Sequence, residues 1–282
     1  MYKQIVQKYD FKDVNSPQVL ALKNSYQNAF SHYLAGFIFD NLGETDLSIA
    51  GYKRALSLSP NNPTIIKSLE DVSNNNNSLS NNKNNNVDVL FIEEVGHLPI
   101  IKAVFVPLLF NVVVNDCFTI SNISLPMLFP YGGNQSILLS ENNHNFFIDN
   151  QAYHTNKILD ADYMAARFMH DNLPNIYMTN LLRISRDLTL QRVMCNNGLG
   201  GLNLLFYPSS FLINKADERT WLLLPNKIYI ERLSLSKKVH TLSVFDPNIN
   251  DNRKVTLDLT NSGSFKLVTW RKIDNQLYLN TN

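Results

Sequence analysis

An asparagine-rich tract, "SNNNNSLSNNKNNN" from Ser73 to Asn86, divides the chain into two stretches with different hydrophobic periods. It holds one apolar residue, too few to repay the entropy of ordering a segment of that length, and it is expected to be a flexible linker. Before it, apolar residues recur at helical spacing; after it they alternate, as in half-buried strands. Whatever fold forms must therefore join a small helical unit to a β-rich body.

The helical stretch has clear start and stop signals. Ser16-Pro17 reads as a cap followed by proline in the first turn, and Leu20, Tyr26, Phe30, Leu34, Phe37 and Ile38 carry one helix toward Gly43. Leu47, Ala50, Ala55 and Leu58 give a second helix, which "SPNNP" ends because proline disfavours its continuation. "PTIIKSLEDV" predicts a short third helix covering the pair.

With 25 Lys and Arg against 24 Asp and Glu, the chain has no charge excess to attract nucleic acid or anionic lipid at long range, and nucleic acid is not expected as a partner. No run of about 18 apolar residues suggests a membrane-spanning helix. The richest stretch, "IIKAVFVPLLFNVVV", contains Lys102 and Pro107 and reads as buried strands. The opening residues carry no apolar core of secretory length, so the chain by itself reads as unexported. Cys117 and Cys195 fit either one disulfide or two buried thiols, the thiols being the preferred reading.

Beyond the linker, "VDVLFIEEVGHLPIIKAVFV" predicts two strands about a turn near Gly96 to Pro99, and "CFTISNISLPMLFPYGG" a further strand and loop. Two helices are expected over about 157–195, separated by a sharp connection at Pro174. The tail, "KIYIERLSL", "VHTLSVFD", "RKVTLDL", "SFKLVTWRKI" and "QLYLN", predicts a compact antiparallel sandwich.

With Ala29 as first position, Gly36, Phe39, Tyr52, Ala55 and Pro60 occupy the small, aromatic, aromatic, small and proline sites of the 34-residue tetratricopeptide (TPR) pattern. His32 and Ser48 depart from it. The segment resembles one TPR unit, and the resemblance implies an inward groove presenting Tyr33, Phe37, Asp40 and Asn41 to a protein partner. A lone unit needs a neighbour to cover its apolar side. Either a partner chain or the β-rich body must supply it.

A second resemblance rests on Ala216, Asp217, Arg219, Trp221, Leu224 and Pro225, on "LPNIYMTNLLRISRD" upstream, and on "EEVGHLPIIKAVFVPL". With the TPR-like unit, their order is similar to that of an uncharacterised family of TPR-containing proteobacterial cell-envelope lipoproteins, over roughly Ser16 to the C-terminus. It implies a periplasmic or envelope location and an assembly or scaffolding role, though no lipobox is found here. Asp217 and Arg219 beside Trp221 suggest a charge pair with an aromatic anchor, as a structural corner or a ligand site. Arg183 and Arg186, three apart on a helix, could face an anion or pair with acids such as Asp187.

Signals for catalysis are sparse. Cys195 with His170 or His240 could form a nucleophile and base, but no surrounding motif supports the pairing. His144 and His154 with Asp149, Asp160 and Asp162 could ligate a metal, yet match no zinc spacing. "GLGG" lacks the Lys-Ser/Thr that completes a phosphate loop and reads as a turn.

The expectation is an α+β protein: a TPR-like helical region over 1–72, a linker over 73–87, and a β-rich domain over 88–282 with an inserted helix pair and a sandwich-like C-terminal portion. It is expected to act as a non-catalytic protein-interaction or scaffolding protein of a bacterial cell envelope, with no cofactor and no metal. The alternative is an envelope hydrolase or ligand-binding enzyme using the region around Arg183, Cys195 and Arg219.

Overall fold

The computed structural model describes residues 14–74, 85–111, 118–129, 144–199, 223–246, 251–273 and 276–281. The predicted first helix divides in two. Ser16 caps a single turn, α1 (Pro17–Leu20), and Asn28 starts α2 (Ala29–Leu42). Between them the Asn24 carboxamide accepts from the backbone N–H of Tyr26 at 3.0 Å and of Gln27 at 2.8 Å, a local turn that competes with helix and ends it.

α2 turns back through Gly43, left-handed at φ 82°, into α3 (Thr45–Leu58). Asn62 then caps α4 (Pro63–Ser73). α2 and α3 cross with their backbones nearly touching, since a Cβ added at Gly51 would lie 2.8 Å from the Gly36 Cα. That approach brings the Tyr52 ring onto α2, where it packs against Tyr33 at 5.2 Å between centroids.

β1 (Asn86–Val95) is apolar on both sides: Val87, Val89 and Phe91 alternate with Leu90 and Ile92. It therefore takes the middle of a five-stranded sheet, with the order β11-β10-β1-β7-β6. Its neighbours are β7 (Lys227–Ser236), antiparallel, and β10 (Phe265–Ile273), parallel. The expected wholly antiparallel sandwich is thus a mixed one. β6 (Asn156–Asp160) and β11 (Gln276–Asn280) form its edges. A second sheet has the order β5-β4-β8-β9 and is built from β4 (Asn145–Ile148), β5 (Gln151–His154), β8 (Val239–Asp246) and β9 (Asp251–Asp258).

Three layers result. Between the sheets lie Val87, Val89, Phe91, Phe146, Leu242, Val244, Leu257, Val268 and Trp270. On the opposite face of the five-stranded sheet, Tyr33, Phe37, Tyr52, Ala55 and Ile65 of the helices share a core with Leu90, Ile92, Ile158, Ile228 and Ile230. The helical unit and the β body are one packed structure.

An arm leaves this body. β2 (Ile100–Asn111) and β3 (Phe118–Phe129) form a separate two-stranded ribbon in register from Ile100 opposite Phe129 to Asn111 opposite Phe118. Alongside β3 runs α5 (Ala161–Asn196), 36 residues capped by Asp160. It replaces the predicted helix pair, because Pro174 lies inside one continuous helix. Proline there removes one hydrogen bond and costs about 3 kcal/mol in isolation. Packing on both sides of it offsets the loss. At the base Ala166 and Met169 join Leu128, Val14 and Val19. Further along, the Asn180 carboxamide accepts from the Ser124 N–H and donates to the Ser124 carbonyl, both at 3.1 Å, so it bonds to β3 as a neighbouring strand would.

Because the sheet covers the aromatic side of α2, Phe37→Ala opens a cavity in a sealed core. It should lower the unfolding free energy by about 3–5 kcal/mol, read as a shift in the denaturant midpoint with little change in slope.

Candidate interaction surface

Tyr33, Phe37, Asp40 and Asn41 come together on one side of α2, as the sequence implied, but they face the chain's own sheet. Tyr33 and Phe37 are fully buried. The Tyr33 hydroxyl pairs with Ser68 Oγ at 2.9 Å, and the Phe37 ring stands edge-on to Phe265 at 5.7 Å. They are not open to a foreign protein.

Asp40 and Asn41 meet Arg232 and Asp88, two residues the sequence reading passed over. The Arg232 Nε donates to both Asp88 carboxylate oxygens at 3.0 Å, while one terminal nitrogen reaches Asp40 Oδ2 at 2.7 Å and the other the Tyr52 hydroxyl at 2.9 Å. Asn41 donates to Asp88 at 3.0 Å, and the guanidinium carbon lies 5.2 Å from the Phe37 ring centre. Burial opposes the charge on Arg232, but the adjacent Asp88 outweighs it and holds its pKa well above the usual arginine value. Burial likewise keeps Tyr33 and Tyr52 protonated far beyond neutral pH. One guanidinium thus ties α2, α3, β1 and β7 together. The available signal was a lone arginine within the apolar-alternating "KIYIERLSL" of a strand.

A second latch lies beside it. Glu231 accepts from Thr64 Oγ1 and from Asn156, each at 3.0 Å, and Asn62 donates to the Lys157 carbonyl at 2.9 Å, joining α4 to β6 and β7. Burial raises the Glu231 pKa above the ordinary glutamate value.

At the other end of β1, Glu93 is fully buried between the sheets. Lys272 Nζ lies 2.8 Å from one of its oxygens; His144 Nδ1, at 3.1 Å, and the Thr155 hydroxyl meet the other. The imidazole stacks on Tyr229 at 3.7 Å. Burial alone would raise the Glu93 pKa, yet the His144 hydrogen bond and the Lys272 charge prevail and lower it to about 2. His144, considered above as a metal ligand, instead serves a buried ion pair.

The remaining candidates are dispersed. Cys195 is disulfide-bonded, which corrects the thiol preference and removes the proposed nucleophile. Cys117 lies outside the described residues. His240 binds Asp149 at 2.7 Å and the Ser236 carbonyl at 3.0 Å, while His170 contacts Asp171. His154 binds Asn145, Asp160 caps α5, and Asp162 accepts from Asn226. No group of three or more metal-ligating side chains occurs among the described residues. Arg186 pairs with Asp187 at 2.8 Å, as the sequence allowed, and Arg183 lies on the same helix. Asp217, Arg219 and Trp221 lie outside the described residues, as does "GLGG" beyond Leu199. A cleft of about 420 Å³ between the 21–29 segment, the end of α3, β6 and the start of α5 is lined by Lys23, Gln27, Pro60 and Tyr163. Its one carboxylate, Asp160, is engaged with Lys157 and with the α5 cap.

Among the described residues, exposed apolar side chains are most numerous on α5 of the arm. Ala166, Met169, Asn180, Ile184, Asp187, Gln191 and Cys195 face inward from α5, while Tyr177, Met178, Leu181, Leu182, Leu190 and Val193 are half or more exposed, Leu182 at 67%. The 11 residues from Asn172 to Leu182 carry no charge, and neither do the described strand residues 103–111 and 118–129. Exposed apolar side chains scattered singly are ordinary, whereas several along one helix stand out. No described helix is long and apolar enough to cross a membrane. No protein-family model, curated protein or solved structure matches the chain.

Arg232→Ala leaves the Asp88 and Asp40 carboxylates uncompensated at the helix–sheet junction and should destabilise the protein by about 3–5 kcal/mol, measured by chemical denaturation. Glu93 has its folded pKa depressed from 4.5 to about 2. Its ionisation therefore contributes stability that is complete above about pH 5 and lost progressively as the pH falls toward 2. The wild type should lose stability over that window, whereas Glu93→Gln, less stable at neutral pH, should show a shallower acid dependence.

Proposed function

We propose that the chain is a non-catalytic interaction or scaffolding protein of a bacterial cell-envelope assembly, and that its docking surface is the outer side of the arm. The observation that carries this reading is the row of exposed apolar side chains on α5, held out from a three-layer body by the Asn180–Ser124 bonds and the packing at the base of the arm. An apolar helix surface of this extent is normally covered. The TPR-like unit takes a different part from the one its inward groove suggested: it clamps the sheet through Arg232 and stiffens the body from which the arm projects.

Three further observations support the envelope assignment. The order of elements, a helical hairpin, a β-rich body and an inserted helix, agrees with the resemblance to envelope lipoproteins carrying one TPR unit. The close crossing at Gly36 and Gly51, with Tyr52 and Ala55 buried, suits such a unit. A disulfide at Cys195 suits an oxidising compartment.

The test is affinity capture from solubilised cell envelopes with wild-type protein and with a Leu181→Glu/Leu182→Glu double variant. Both side chains are exposed, so the variant should retain the wild-type stability within about 0.5 kcal/mol while losing the captured partners. Equal capture by both proteins would overturn the assignment of the docking surface to α5.

A further inference from the structure

The stripe of α5 opposite its packed side has a composition of its own. At 100° per residue, Asp171, Met178, Leu182, Ser185 and Thr189 lie about 140–200° from the inward-facing Asn180, Asp187 and Gln191, and Pro174, Leu181 and Arg192 flank them on one side at about 100–120°. Apart from the adjacent Leu181 and Leu182, neighbours along this side are three or four residues apart, the spacing of a helix that packs against another helix. The two hydroxyls on the stripe are already satisfied within the helix. Ser185 Oγ donates to the Leu181 carbonyl at 2.9 Å and Thr189 Oγ1 to the Ser185 carbonyl at 2.7 Å, so drying this surface strands neither donor.

We propose that the partner of this stripe is the same stripe on a second copy of the chain, the two α5 helices crossing antiparallel about a two-fold axis between Leu181 and Leu182. This rests on the reading of α5 as a docking surface and names its occupant. Three features argue for a second copy. In that register the two leucines of each copy meet at the axis. Met178, 58% exposed, falls opposite the small Ser185, a projection meeting a gap. At both ends Asp171 of one copy falls opposite Arg192 of the other. Arg192 is exposed and has no ion pair among the described residues, while Asp171 is bonded only to Arg167 and His170 of its own helix and keeps a third of its side chain open. A contact extending from residue 171 to 192 would run along about 33 Å of helix at 1.5 Å per residue, an extended seam of the kind that paired helices bury. The charge-free middle and oppositely charged ends form a self-complementary surface, the requirement of an isologous contact.

The test is the mass of the purified chain by light scattering and sedimentation over protein concentrations of about 1–100 μM, since the population of a dimer depends on protomer concentration. The wild type should reach the two-copy mass. Leu182→Glu, at the axis, should stay at the one-copy mass with an unchanged circular dichroism spectrum. Asp171→Arg should weaken association about tenfold or more by opposing Arg192, and adding Arg192→Asp in the same chain should restore it. That rescue is independent of any folding defect in the axial variant. A wild type at the one-copy mass throughout, a two-copy mass kept by Leu182→Glu, or a charge reversal without rescue would each overturn the proposal. If the wild type is monomeric but the Leu181→Glu/Leu182→Glu variant still loses its captured partners, self-association falls and the interaction role stands.

Discussion

The five-stranded sheet is apolar on both faces, and the fold depends on covering both. β1 sends Val87, Val89 and Phe91 into the space between the sheets and Leu90 and Ile92 against the helices. A strand of this kind is stable only as a middle layer. The helical unit has the matching need, since Tyr33, Phe37, Tyr52 and Ile65 present more apolar surface than a three-helix fragment can hide from water by itself. Each covers the other. That mutual requirement replaces the stacked repeats on which helical units of this type usually rely.

Polar groups within this layer set orientation more than they add stability. A guanidinium taken out of water is costly unless its donors are matched, and Arg232 directs its donors at Asp88, Asp40 and the Tyr52 hydroxyl, each on a different element. Only one placement of α2 and α3 over β1 and β7 satisfies all of them. Thr64, Asn156 and Glu231 impose the same demand on α4. Between the sheets, Glu93, His144, Lys272 and Thr155 do so for the end of β1 and for the segments flanking β4 and β5. These clusters fix the body from which the 36-residue α5 begins, after β6.

The arm follows a different rule. Its inner side mixes apolar contacts with the Asn180 carboxamide bonded along β3, and its outer side is apolar at the centre and charged toward the ends. An isolated two-stranded ribbon is marginal in water, so α5 stabilises β2 and β3 as much as they orient it. What remains uncovered is the stripe through Met178, Leu181 and Leu182.

Much of the fold was legible locally. The helical period before the asparagine tract, the alternating period after it, the cap at Ser16 and the turn at Gly43 are properties of neighbouring residues, and propensity and spacing report them directly. The continuity of α5 through Pro174 was hidden, because local chemistry there favours a break and only packing outweighs it. The single turn at Ser16 was missed for the opposite reason: Asn24 ends the helix by a side-chain bond that periodicity does not register. Asp88 and Glu93 gave no sequence signal and Arg232 only a weak one, since a charge within a strand looks solvent-facing until its partners, up to 192 positions away, are brought beside it. In the same way the sequence by itself determined that the early helices carry an aromatic side in need of cover. Only the tertiary structure decided that their own sheet supplies it, because which surfaces meet depends on residues far apart in the chain.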